Sequence, residues 1–237
     1  MKNQYLYIAI IFLSVFACGK KTDSSSDIAW MKKEHLTIDE IIDKVTIEVE
    51  QAKSFKYTST NSANINFYGG QKTNTFLLDK KGNAFSSRDR EQNFKIDGKM
   101  YRRKTGLMEE GLVATVISDI LDKSTLDKDY FERNIPYVKN NGIINVKMLK
   151  KCHITTSVSG NTLTIKTKDF DKIDNADKEF LTDVTAIYTP QKDYTIRATI
   201  EKDGKEITAT YVFTFNPDEK VKLPKLLKIG EKLSPVD

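Results

Sequence analysis

The chain has 237 residues, 39% hydrophobic and 30% charged, with 38 Lys and Arg against 33 Asp and Glu for a formal net charge of +5. That size and apolar content suit one globular domain with a short appendage, and 12 Phe with 10 Tyr argue against intrinsic disorder over most of it. The positive surplus is mixed along the chain rather than blocked. This excludes a dedicated nucleic-acid binder and reads as ordinary solubility.

The first residues read as an export segment outside the fold. Lys2 supplies a positive start, and Tyr5 to Ala17 form an apolar stretch too short for a membrane span. Val15-Phe16-Ala17-Cys18 then places a small residue directly before a cysteine, and this resembles the lipobox of bacterial lipoproteins. The resemblance implies that residues 1–17 are a signal peptide that is cut away and that Cys18 is lipidated. It also implies an extracytoplasmic protein, lipid-anchored to a bacterial cell membrane. A short membrane anchor, or a signal peptide with a chance cysteine, is the alternative. The tract "GKKTDSSSD" cannot pack a core, so residues 18–30 read as a flexible tether and residues 31–237 as the working domain. Two or more acyl chains suffice for stable anchoring. Trp30 reads as packing against the start of the domain, with an interfacial membrane contact as the alternative.

The first clear element is a helix in "LTIDEIIDKVTIEVEQAKSF", opened by the capping-box pair Thr37 and Glu40. Ile38, Ile41, Ile42, Val45, Val49 and Ala52 form its single apolar stripe. Six short strands follow: "SFKYTST", "ANINFYG", "TNTFLLDK", "NAFSSRD", "QNFKIDG" and "KMYRRK". Gly69-Gly70, Lys81-Gly82-Asn83 and Asp97-Gly98 punctuate them as turns of an antiparallel meander. Their alternation is loose.

The middle reads as helical. "GLMEEGLVATVISDILDKS" places Leu112, Val113, Val116, Ile117, Ile120 and Leu121 on one helical side. Ser124 or Thr125 caps a further short helix that stops before Pro136. "HITTSVSGNTLTIKTK" is then a hairpin, and "DFDKIDNADKEFLTD" holds one short helix. The last hairpin is the cleanest signal. Tyr194, Ile196, Ala198 and Ile200 precede Asp203-Gly204, and Ile207, Ala209, Tyr211, Phe213 and Phe215 follow, so each strand has one buried and one wet face. Pro217 and Pro224 end the regular structure. The tail lysines Lys220, Lys222, Lys225, Lys228 and Lys232 read as solvated surface, with contact to anionic headgroups as the alternative. No repeat of fixed period is present.

Taken together, "IDEIIDKVTIEVEQAKSFKY", "FKIDGKMYRR" and "ATIEKDGKEITATYVFTFNPDEKVKLP" resemble the LolA/LolB-like superfamily and the related LppX/LprG lipoproteins. The fold this implies is α+β: a strongly curved antiparallel sheet, an open half-barrel, with helices covering its concave face. The resemblance further implies a lipid or other hydrophobic ligand held between sheet and helices, for carriage or sensing. Ile196, Ala198, Ile200, Tyr211, Phe213 and Phe215 are then the expected lining, with Phe67, Phe76 and Phe94 on the same wall. The alternative is a structural or protein-interaction envelope lipoprotein whose core is filled by its own side chains.

Catalytic material is sparse. His35 and His153 are the only histidines, which leaves little for Ser-His-Asp or multi-His metal designs. Cys152 and His153 are adjacent on a strand and so point to opposite faces, and Cys152 reads as a buried or half-buried thiol. The acidic run Asp169, Asp171, Asp174, Asp177 and Glu179 fails as a calcium loop, since Ile173 falls where a ligand is needed and Asp174 where a Gly is needed. The expectation is therefore a monomer without enzymatic activity, cofactor, metal or nucleic-acid partner, attached to a membrane through its N-terminal lipid.

Overall fold

The computed structural model describes residues 30–32, 36–65, 71–88, 91–110, 113–124, 126–170, 179–202 and 204–233. Helix α1 (Ile38–Gln51) starts at a Thr37 cap. The Glu40 N–H donates to Thr37 Oγ1 at 3.2 Å and the Thr37 N–H donates to Glu40 Oε2 at 3.0 Å. Strands β1 (Phe55–Ile65), β2 (Gln71–Leu78), β3 (Ala84–Arg88), β4 (Glu91–Ile96), β5 (Lys99–Glu110) and β6 (Val113–Lys123) then form a meander. Helix α2 (Tyr130–Lys147), about 27 Å long at 1.5 Å per residue, carries the chain to the far end of the sheet. There β7 (Cys152–Ser159), β8 (Thr162–Phe170), β9 (Glu179–Thr189), β10 (Asp193–Lys202) and β11 (Lys205–Phe215) meander back. The strand order is β12-β6-β5-β4-β3-β2-β1-β11-β10-β9-β8-β7, where β12 is the short Lys232–Leu233 pairing with β6. Among the described residues the two meanders are joined in the sheet where β1 pairs with β11, from Phe55↔Phe215 to Asn61↔Ala209.

Several sequence expectations need correction. The half-barrel is not formed: the sheet is one open twelve-stranded antiparallel ladder, neither closed nor strongly curved. The physical reason is layering. The helices cover one face with a core that includes Phe55, Phe76, Met100, Tyr194 and Phe213, while Leu77, Phe94 and Val221 form a second cluster on the opposite face. A sheet covered from both sides has no need to curl around its own apolar surface. The same fact explains the loose alternation of β2 to β4. Neighbours Phe76 and Leu77 are both buried, as are Asn93 and Phe94, on opposite faces.

The helix expected across Leu112 to Leu121 is instead the end of a β5–β6 hairpin. Ile117 is an extra residue in β6, because Gly106 pairs with Ser118 and Leu107 with Val116. This bulge turns a two-residue period into three- and four-residue spacings that mimic a helix. Ala114 and Val116 are buried, whereas Ile117 and Ile120 are 53% and 51% exposed. "SFKYTST" and "ANINFYG" are not two strands but run together within β1, as far as Ile65. The helix expected to stop before Pro136 continues through it to Lys147. Burial of Phe131, Val138, Ile143 and Val146 along one side outweighs the roughly 3 kcal/mol that an interior proline costs. The short helix expected in 169–183 falls largely on 171–178, outside the described residues; Asp169 and Phe170 end β8, and Glu179 opens β9.

Both helices bear on the β1–β11 seam. Lys139 of α2 donates from Nζ to the carbonyls of Glu50 (2.9 Å) and Ala52 (2.7 Å) at the end of α1, whose own last turn has no basic residue. Gly142 lets α2 lie directly on the sheet. A Cβ there would sit 2.7 Å from Tyr194 Oη and 3.1 Å from Phe213 Cδ2, both on rigid rings. Gly142→Ala therefore gains about 1 kcal/mol in helix propensity but overpacks this contact. We expect a net loss of roughly 1–2 kcal/mol in chemical denaturation. A variant as stable as the parent would show that helix and sheet are not in this close contact.

Candidate functional site

The residues expected to line a ligand cavity do share one face. Across the β10–β11 ladder Tyr194 faces Phe213, Ile196 faces Tyr211, Ala198 faces Ala209 and Ile200 faces Ile207. Ile196, Ala198, Phe213 and Phe215 are buried and Tyr211 is partly so; the side chain of Ile200 lies outside the described residues. They enclose side chains, not a cavity. The Phe213 ring stacks on Phe55 at 5.1 Å and on Tyr194 at 5.7 Å, and Phe55 stacks in turn on Phe76 at 5.6 Å. Phe215 lies 5.2 Å from Phe213, and Phe131 of α2 closes on Phe76 at 5.9 Å. Below α2, Asn145 Nδ2 donates to Tyr57 Oη at 3.0 Å. Burial and the neighbouring tyrosines push the Tyr57 hydroxyl up to about 12, so it stays protonated. The lipid-binding cavity is thereby overturned, because its volume is occupied by the protein's own rings. Phe94 is on the opposite face, in the Leu77–Val221 cluster, and Phe67 lies outside the described residues.

A cleft of about 380 Å³ lies between α1 and the β9–β10 turn, bordered by Trp30, Lys44, Glu48, Tyr188 and Gln191, with Phe215 the one expected lining residue that reaches it. Trp30 packs on Tyr188 at 6.2 Å and carries Lys44 Nζ 5.9 Å above its ring. Among the described residues no His, Cys, Asp and Glu cluster could hold a metal ion. Cys152 opens β7 opposite Phe170, and its side chain is not described. Cys18 lies outside the described residues.

The feature that sequence reasoning passed over is the segment after β11. Residues 216–231 do not trail into solvent but cross the sheet face opposite the helices. Two buried carboxylates hold the segment there. Asp79 Oδ2 accepts the Val221 N–H at 3.1 Å, while its Oδ1 accepts the N–H groups of Lys81 (2.8 Å) and Asn83 (3.0 Å). Asp119 Oδ2 accepts the Leu227 N–H at 2.7 Å and is gripped at both oxygens by the Arg103 guanidinium, at 2.8 and 2.6 Å. The end is stitched to β6 by Gly230 N–H to Val116 O at 2.8 Å and Val116 N–H to Glu231 O at 2.9 Å.

Within this strap the burial pattern repeats every three residues. Val221, Pro224 and Leu227 are buried or half-buried, and Lys222, Lys225 and Lys228 are exposed. Leu223, Leu226 and Ile229 are 40%, 45% and 78% exposed. Three residues per turn is the period of an extended, polyproline-like chain. The result is a ridge carrying a row of ammonium groups beside a row of aliphatic side chains. The signal was present in "VKLPKLLKI", whose every second member of a triplet is lysine, but a Lys-rich tail after two prolines reads as solvated surface.

Compared with known proteins, the chain matches no family model and no curated protein. The kinship with the LolA/LolB-like and LppX/LprG lipoproteins has no support from these comparisons, and the open sheet with its filled core contradicts it. No helix among the described residues is long and apolar enough to cross a membrane.

The strap's attachment depends on pH in a stated direction. Arg103, with the Leu227 N–H and Thr105, holds the Asp119 carboxyl below its ordinary value. Burial pushes Asp79 up, but the N–H groups of Val221, Lys81 and Asn83 outweigh it and the carboxyl lies below its ordinary value too. Lowered folded values mean that the unfolded chain binds more protons in acid, so this stabilisation is complete above about pH 4 and is lost as pH falls through the lowered pKa values. Amide protection at Val221 and Leu227 should follow that course in hydrogen exchange. Asp119→Ala, which leaves the largely buried Arg103 with Gln92 but no carboxylate, should cost about 3 kcal/mol and release the Leu227 amide at neutral pH. Full protection of Leu227 in this variant would contradict the anchoring.

Proposed function

We propose that this chain is an extracytoplasmic interaction protein, tethered to a membrane through a lipid on Cys18, that works through its surface by binding rather than by catalysis. The observation that carries the proposal is the ridge. Leu223, Leu226 and Ile229 stand in water beside Lys222, Lys225 and Lys228, on a backbone held rigid by Asp79 and Asp119. Exposed aliphatic groups in a contiguous row mark contact surfaces. Fixing them on a well-anchored strap reduces the ordering cost of association. The lysine row selects a partner surface carrying carboxylates, and the aliphatic row supplies the apolar contact. The filled core supports the same reading, since a solid sheet serves as scaffold and leaves no internal ligand to account for.

The test is site-specific photocrosslinking in intact cells with a benzophenone side chain at Ile229. A discrete protein adduct is expected, and it should disappear when Lys222, Lys225 and Lys228 are all reversed to Glu, exposed changes that leave the melting temperature unaltered. Adducts with lipid alone, or a protein adduct indifferent to the charge reversal, would count against a docking ridge. The anchor has its own readout in the same preparation, because the intact mass should match a chain that begins at Cys18 and carries acyl groups.

A further inference from the structure

The helix-side face of β3, β4 and β5 carries a second, separate feature beside the start of α2. It is an open basin of about 680 Å³, within the range of small-ligand clefts. Cross-strand pairing builds it: Asn93 faces Arg102 and Glu91 faces Lys104 across the β4–β5 ladder, with Arg88 opposite Glu91 on β3. Tyr130, at the start of α2, forms one wall. The lining therefore holds three cations against one carboxylate, and Glu91 is already engaged by Arg102 and by Asn93 Nδ2. Arg88 and Lys104, both exposed, are left as surplus positive charge.

Two atoms give the basin its chemistry. Asn93 is 6% exposed, and its Oδ1 is buried without a hydrogen-bond partner among the described residues. Arg102 Nε is buried and unpartnered in the same way. One is an acceptor in need of a donor and the other a donor in need of an acceptor, on residues that face each other across the ladder. A hydroxyl, able both to donate and to accept, is the group that supplies either need. Surplus charge at the rim and unmet hydrogen-bonding atoms in the wall suit an anionic ligand that carries hydroxyls, and Tyr130 adds an aromatic side chain to the lining, as sugar sites use.

The geometry points to this basin as a binding site for an acidic saccharide, with Arg88 and Lys104 taking its anionic groups and the Asn93–Arg102 pair taking ring hydroxyls. This is independent of the ridge, which lies on the strap across the opposite face. The test is calorimetric titration of the detergent-purified full chain with tetragalacturonate, maltotetraose and inorganic phosphate. Tetragalacturonate is expected to bind, maltotetraose to give no signal and phosphate to bind more weakly. Lys104→Gln, an exposed change, should weaken tetragalacturonate about tenfold, the loss of one charge-assisted contact. Asn93→Leu should weaken it similarly. No binding of tetragalacturonate, equal binding of maltotetraose, phosphate binding as tightly as the oligosaccharide, or an unaffected Lys104→Gln variant would each overturn the assignment.

Discussion

Everything in this fold depends on the antiparallel pairing of β1 with β11, two strands about 150 residues apart in sequence that hold the two meanders in one sheet. Backbone hydrogen bonds alone do not select that register. The selection comes from rings: Phe55 and Tyr57 on β1 must meet Phe213 and Phe215 on β11, and Phe76 and Tyr194 extend the stack to the strands on either side. A slip of one residue would turn Phe213 out to the solvent face and bring Val212 or Thr214 in. The helices then seal the stack from above, with Gly142 admitting α2 to van der Waals contact and Lys139 closing the end of α1.

The consequence for function is that the interior is spent on holding the two halves together. A ligand-carrying half-barrel keeps an apolar volume free between sheet and helices, whereas here Phe213 and Phe131 fill it. The opposite face follows different rules on its two halves. Around β2 to β6 it is apolar and is covered by the strap. Beyond β1 the cross-strand row Thr58, Val212, Thr195, Ile187 and Thr164 gives it mostly hydroxyl-bearing side chains. What distinguishes the molecule is therefore displayed outside: a ridge of lysines and aliphatics on one face and a cationic basin on the other.

The fold was legible in the sequence where one face is wet and illegible where both are covered. Tyr194 to Phe215 alternate cleanly because the helix side of β10 and β11 is buried and the other side, Thr199 apart, is not, and the Thr37–Glu40 capping box announced α1 by chemistry that needs no tertiary context. The bulge at Ile117 gave β6 a helical spacing, and Pro136 hid a helix whose buried side lies mostly beyond it. The lining of a cavity was half legible: the shared face of Ile196, Ala198, Tyr211, Phe213 and Phe215 follows from alternation, but whether such a face encloses space or rings depends on what packs against it. The strap was missed because its anchors, Asp79 and Asp119, are more than a hundred residues from the amides they hold. The triplet pattern of lysine and aliphatic residues was visible, yet without those anchors it has no fixed side.

The central claim is that the space between sheet and helices is full. Native mass spectrometry of the chain purified from cells in a mild, removable detergent tests it most directly. The account predicts the covalent mass alone after gentle activation, with no non-covalent adduct. A lipid or other hydrophobic molecule that stays bound until the fold itself is disrupted would contradict it.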